Sequence, residues 1–366
     1  MNQLRSVPET ISNKTLAEFG SERLAALCAG AGATSSMTEI VRLFDEMVRP
    51  WGNRVIGPWP RYPSTVADDA APFEFSAAFS DGPPEIQFYV EALGDPPSLY
   101  ANMQAGRSLL ERLAGKLGGS LERLALVEDL FFPPEPRGPF TIWVGTSCKA
   151  DRKPRLKVYL NPQVSGAADS RRLVGEAMAR LGVGSAWPAL NEQLATSASR
   201  YDEIAIVSLD LSGDAEDRIK LYIRHHGATV QDVQAFVGSD PESARDAELF
   251  FSVLAGNQGP FSQKPPITEA VFVAGDQHAP SSFTLEFPIG KYVATDEIAA
   301  QRIEACMSAF GLPGHRYRSA AEAFATRPLA VGGGLHAHVT LRRQGSRPRV
   351  GVYFASEAYP TSTESD

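Results

Sequence analysis

Three short stretches of the sequence set cations and tyrosines at even spacings: Lys157-Val158-Tyr159, Arg218-Ile219-Lys220-Leu221-Tyr222 and Arg349-Val350-Gly351-Val352-Tyr353. Side chains alternate along a β-strand, so in each stretch the cations and the tyrosine share one face. The opposite faces are aliphatic or aromatic: Val158 and Leu160; Ile219, Leu221 and Ile223; Val350, Val352 and Phe354. Cations enclosed together are unfavourable unless an anion pairs with them. Diphosphate suits such a site, being multiply charged and matched to guanidinium forks and ammonium groups. The competing reading is a one-sided antiparallel sheet whose polar faces are merely solvated. Three strands with the same pattern, each backed by an apolar face, favour the enclosed anion site.

The surrounding elements repeat one unit. Helical periodicity over 16–29 and 38–48 precedes two strand-like runs at 73–79 and 85–92, joined by the turn residues Ser80-Asp81-Gly82-Pro83-Pro84. The same order of helix and hairpin recurs with strand pairs at 140–146/155–161, 203–209/218–225, 270–273/282–287 and 334–342/347–355. Helices are expected at 99–117, 170–181, 187–194, 230–236, 241–254 and 295–310, and a short one at 320–325. Five hairpins give ten antiparallel strands, which excludes a doubly wound parallel sheet. The expected fold is α+β, a ten-stranded antiparallel β-barrel ringed by α-helices in five repeated helix–hairpin units. Closure removes exposed edges. Helices that cover the aliphatic faces would leave the polar-aromatic faces lining the lumen. No linker divides the chain, so residues 1–360 read as one domain and 361–366 as a frayed tail.

Composition narrows the partners. With a net charge of -8, nucleic acid and anionic membrane are disfavoured, and an anionic ligand needs a local cationic pocket. Three dispersed cysteines, Cys28, Cys148 and Cys306, read as reduced thiols of a cytoplasmic protein. No signal peptide is read at the N-terminus, and no apolar run has the length of a membrane span. His336-Ala337-His338 puts two imidazoles on one strand face, but no third ligand is near, so no metal is expected. His225-His226 reads as a solvated strand end. The cluster Arg342, Arg343, Arg347 and Arg349 around a hairpin turn reads mostly as a solvated face, with Arg349 the exception by phase. Gly332-Gly333-Gly334 lacks the spacing of a phosphate loop. Asp68-Asp69 continues into Ala-Ala-Pro, so the DDxxD cluster of magnesium-dependent isoprenyl synthases is missing.

Lys157-Val158-Tyr159, Arg218 to Tyr222 and Pro72-Phe73-Glu74-Phe75-Ser76 resemble motifs of the dimethylallyltryptophan synthase family, aromatic prenyltransferases of the ABBA type. Phe287-Pro288 and Pro348-Arg349-Val350-Gly351-Val352-Tyr353 extend the resemblance, which runs from about residue 73 to 359. Chain length is closer to that of bacterial members. The resemblance implies transfer of a dimethylallyl group from dimethylallyl diphosphate to tryptophan or another indole, in the lumen and with no obligatory metal or other cofactor. It implies that Lys157, Arg218, Lys220, Arg349 and Gln87 bind diphosphate as the breaking C–O bond charges it. Tyr159, Tyr222 and Tyr353 would shield the allylic cation. Glu74 corresponds to the glutamate that accepts the indole N–H, and Trp143 and Glu286 would line the acceptor.

Three positions depart from the pattern. Gln87 stands where relatives often have arginine. Glu286 replaces a tyrosine, and a carboxylate near diphosphate would be repulsive unless protonated or paired. The strand-three lysine that removes the ring proton in some relatives has no clear counterpart, Lys149 falling in the expected turn. Alternative acceptors are a tryptophan-containing cyclic dipeptide, a larger indole metabolite or a phenol. A reading from another class is a non-catalytic barrel that binds an anionic hydrophobic ligand. Oligomeric state is not specified by these residues.

Overall fold

The computed structural model describes residues 9–150, 152–195, 201–238, 241–275 and 278–361. Ten strands close into one antiparallel barrel: β1 (Phe73–Phe79), β2 (Glu85–Val90), β3 (Ile142–Lys149), β4 (Arg155–Leu160), β5 (Tyr201–Asp210), β6 (Ile219–His226), β7 (Ile267–Phe272), β8 (Ser282–Phe287), β9 (His336–Gln344) and β10 (Arg347–Phe354). Each strand pairs with its neighbours in sequence, and β1 pairs with β10 to close the ring. The five hairpins are therefore the expected ones. Residues 362–366, most of the expected frayed tail, lie outside the described residues.

The alternation of side chains divides the apolar residues in two. The outward faces, among them Phe73, Phe75, Val158, Leu160, Leu221, Ile223, Val350 and Val352, merge with the helices into one buried core. Helices Leu16–Ala31, Met37–Val48, Leu99–Leu117, Asp296–Ala309 and His315–Phe324 contribute to this layer. Thr15 shows how the sequence starts such a helix: its Oγ1 accepts from the Glu18 backbone N–H, while the Glu18 carboxylate accepts from the Thr15 N–H at 2.9 Å. A second apolar cluster lies inside the lumen and contains Tyr89, Trp143, Tyr159, Ile206, Tyr222 and Ile267. Among the described residues no helix is long and apolar enough to cross a membrane.

Four expectations change. Lys149 is the last residue of β3, paired with Glu85, because the ladder continues past the expected turn. His225 is fully buried on the outward face of β6, held by Asp202 at 2.8 Å and Thr268 at 2.9 Å and packed against Phe236. A charged partner and helix cover, rather than water, satisfy this imidazole. His336 and His338 do not share an environment. His336 lies under helix His315–Phe324, bonded to Asp296 and to the Tyr317 hydroxyl at 2.8 Å. Its side chain leaves the luminal face near an irregularity in the β9–β10 ladder, between Val352 and Phe354. Arg342 is the fourth: it faces the lumen opposite Arg349 in the β9–β10 register.

Candidate active site

The diphosphate candidates converge at the hairpin-turn end of the lumen. Gln87 on β2, Lys157 on β4, Lys220 on β6 and Arg349 on β10 line one pocket, together with Arg218 just ahead of β6. Arg342 on β9 completes it; the sequence signal for it was parity with His338 and Thr340 on the same strand. The sequence argument that these cations need an external anion is only partly correct. Three of them already have protein carboxylates: Arg218 Nε is 2.7 Å from Asp210, Lys220 Nζ is 2.5 Å from Glu269, and Arg349 is 2.9 Å from Glu85. Burial would raise the Asp210 and Glu85 pKa values, but the cations around them, led by Arg218 and Arg349 respectively with Lys157 near both, together outweigh it and hold both at about 2.

Lys157 and Arg342 form no close ion pair among the described residues. Lys157 Nζ donates only to Gln87 Oε1, at 3.1 Å. Burial lowers its pKa, Asp210 offsets part of this, and Arg218 and Lys220 add to the lowering, bringing it to about 7. Burial together with Arg349 and Arg218 pulls Arg342 down to about 10. Five cations face three carboxylates here, so with Lys157 protonated the pocket carries two excess positive charges. It opens beyond Arg218 and Arg349 into a mouth that also presents Lys149, Lys153 and Arg155. Lys149 is therefore at the far end from any acceptor.

A ring of tyrosines stands above the cations. Tyr89 meets Tyr159 edge-on at 5.3 Å and stacks on Tyr353 at 5.8 Å, and Tyr159 approaches Tyr222 at 6.0 Å. Tyr89 joins the three expected tyrosines; it was legible only as the residue in phase with Gln87, to which its hydroxyl donates at 2.9 Å. Gly145 makes the room, since a Cβ there would lie 2.9 Å from both the Tyr159 and Tyr89 rings.

Beyond the tyrosines lies a second chamber, lined by Glu74, Trp143, Ile206, Arg224, Ile267, Glu286 and His338. Thr65, Val66 and Asp68 of the segment preceding β1 close over it. Trp143 is stacked on Phe140 with ring centres 3.9 Å apart. Glu74 has no hydrogen-bond partner among the described residues. Burial raises its pKa well above the usual range, with Asp68 and Glu286 adding to the effect and Lys264 opposing it. Glu286 lines this chamber and not the cationic pocket. Its Oε1 lies 2.6 Å from His338 Nδ1, and His338 Nε2 lies 2.8 Å from Lys264 Nζ. Lys264 is in turn 2.6 Å from Asp68. Burial would raise Asp68, but Lys264 and His338 outweigh it and hold it at about 2. Among the described residues no cluster of three or more His, Cys, Asp or Glu is placed to hold a metal.

Known proteins share this barrel fold. The family model for tryptophan dimethylallyltransferase matches residues 32–238. The crystal structure of 6-dimethylallyltryptophan synthase from Micromonospora olivasterospora, in complex with DMASPP and Trp, is 35% identical. The match covers 96% of this chain and 99% of that one, with a TM-score of 0.88. The 5-dimethylallyl tryptophan synthase of Streptomyces coelicolor, also solved with DMASPP and Trp, is 29% identical over 96% of this chain and 99% of that one, with a TM-score of 0.86. AnaPT from Neosartorya fischeri, 15% identical over 94% of this chain and 95% of that one, shares the fold at a TM-score of 0.78.

Proposed function

The chain belongs to the tryptophan dimethylallyltransferase family, and on that premise we propose that it transfers a dimethylallyl group from dimethylallyl diphosphate to the indole ring of tryptophan. The observation that carries this reading is the division of one lumen into a cationic pocket and an aromatic chamber with carboxyl groups, separated by four tyrosines.

Diphosphate occupies the cationic end in this reading. Lys157, Arg218, Lys220, Arg342 and Arg349 stabilise the charge that grows on the leaving group, and Gln87 steadies Lys157. Electrostatic stabilisation by fixed protein cations supplies what a metal would otherwise supply, so no metal is required. Tyr89, Tyr159, Tyr222 and Tyr353 present ring faces to the allylic cation, each contact worth ~0.5–2 kcal/mol. They also keep water from it. Glu74 accepts the indole N–H through a carboxyl oxygen, and Trp143 offers a stacking surface. The three buried free thiols accord with a cytoplasmic site of action.

Incubation with dimethylallyl diphosphate and tryptophan in the presence of EDTA gives prenyltryptophan and diphosphate. A product from a cyclic dipeptide, larger indole or phenol, but none from tryptophan, would keep the chemistry and move the acceptor. Tight binding of the donor without turnover of any of these acceptors would favour the non-catalytic binding protein instead.

A further inference from the structure

The reaction proposed above must also dispose of a proton. Once an aromatic carbon has bonded to the prenyl carbon, its C–H bond has to break to restore aromaticity. No ammonium group on β3 reaches the acceptor chamber: its luminal residues are Trp143, Gly145 and Ser147, with Lys149 at the opposite mouth. Resting on that reading, we propose that Glu286 receives the ring proton, and that His338, backed by Lys264 and Asp68, fixes its carboxyl group at the wall of the chamber.

The other titratable groups of the chamber are each committed elsewhere. Asp68 is bonded to Lys264, which makes it a weak base. Lys264 bridges Asp68 and His338 as a donor. Its ammonium can only donate, so His338 Nε2 must be the acceptor, and the ring proton of His338 then sits on Nδ1, facing Glu286. Arg224 is a permanent cation lying 3.6 Å from Glu203. Glu74 is buried beside Asp68 and Glu286, an environment that favours its neutral form. Glu286 remains: a chamber-lining carboxyl group with the His338 ring beside it and the Lys264 ammonium on the far side of that ring. The 2.6 Å contact to His338 is off the ideal N–H line, so its effect on Glu286 is mainly electrostatic. The two carboxyl groups of the chamber divide by their neighbours: Glu74 has no partner among the described residues and is free to meet the indole N–H, while Glu286, beside His338, is the proton acceptor.

The step balances. A ring π pair forms the new C–C bond while the allylic C–O pair departs with diphosphate. The C–H pair then returns to the ring, and the proton passes to a Glu286 oxygen. After product release it is lost to water.

The test uses tryptophan deuterated on the indole carbons. Glu286→Gln should lower kcat by ~10²–10⁴-fold, as expected for loss of a general base. It should also raise the deuterium isotope effect above the wild-type value, leaving the Kd for a dimethylallyl thiolodiphosphate unchanged. His338→Gln and Lys264→Met should raise the isotope effect too, with smaller losses in kcat. If Glu286→Gln does not bind the thiolodiphosphate, Glu286→Asp carries the test, and an unchanged isotope effect in it overturns the assignment. Wild-type kcat and isotope effect in Glu286→Gln also overturn it, while leaving the transferase reading intact. Absence of turnover by the wild-type protein sinks the transferase reading itself, and that outcome is distinct.

Discussion

Binding of the donor should draw a proton onto Lys157. This ammonium is buried, has Gln87 as its one hydrogen-bond partner among the described residues and sits near Arg218 and Lys220, which leaves its pKa at about 7. A diphosphate placed beside it favours the charged form and raises that value. At about pH 8 the free lysine is roughly one-tenth protonated, so complex formation should take up about 0.9 proton. At about pH 6 the lysine's own share should fall to roughly 0.1, while the donor, about half protonated there, should release about half a proton on binding. The last ionisation of the donor, near ~6 by analogy with phosphate esters, adds little at the higher pH. Because only the protonated lysine pairs with the anion, affinity weakens as pH rises through the free pKa. Between about pH 6.5 and 8.5 the Kd should increase roughly 25-fold, or about 1.9 kcal/mol. Calorimetric titration with dimethylallyl thiolodiphosphate, in buffers of different ionisation enthalpy, reads both quantities. Lys157→Met is the matching variant because it strands no close carboxylate partner; it should abolish both the uptake and the pH dependence. Zero uptake by the wild-type protein near pH 8, or the same uptake by the variant, would refute the reasoning.

Three further outcomes follow from particular contacts. Glu74→Gln keeps a carbonyl oxygen for the indole N–H, so it should raise the tryptophan KM by only ~2–10-fold, while Glu74→Leu should cost more, and neither should alter donor affinity; steady-state kinetics with each substrate varied checks this. Gly145→Ala brings a methyl group to 2.9 Å from two tyrosines, which must shift; the proportion of prenyl alcohol formed by water capture should rise relative to prenyltryptophan, as product analysis would reveal. Lys220→Met leaves the Glu269 carboxylate buried without its partner and should destabilise the fold by ~3–5 kcal/mol, whereas adding Glu269→Met should recover most of the loss in urea unfolding.

The residues that were legible in the sequence are those whose role follows from phase alone. A period of two fixes which side of a strand faces inward, so Lys157, Tyr159, Lys220, Tyr222, Arg349 and Tyr353 were assigned together once helices were taken to cover the other face. The same parity contained Tyr89 and Arg342. Tyr89 went unused because its hairpin was read through Glu74 and Gln87, and Arg342 because a cluster of arginines near a turn resembles a solvated surface. Phase also failed at His336, where the ladder irregularity turns one member of the His-x-His pair under a helix and leaves the other in the chamber. What the pattern could not supply was the pairing of charges between strands. Glu269 and Glu85 are far in sequence from Lys220 and Arg349, and Asp210 meets Arg218 only through the register of their shared hairpin. Their presence changes the electrostatic argument. A bare cluster of cations would be held together only by its ligand, whereas these are preorganised by carboxylates and keep a small positive excess. Such a site can form before diphosphate arrives, and its grip can be relaxed by loss of the proton on Lys157. Glu286 repeats the lesson at the other end: as a departure from the family pattern it looked like repulsion towards diphosphate, and the barrel instead sets it across the tyrosines, beside His338, where a carboxylate has a proton to accept.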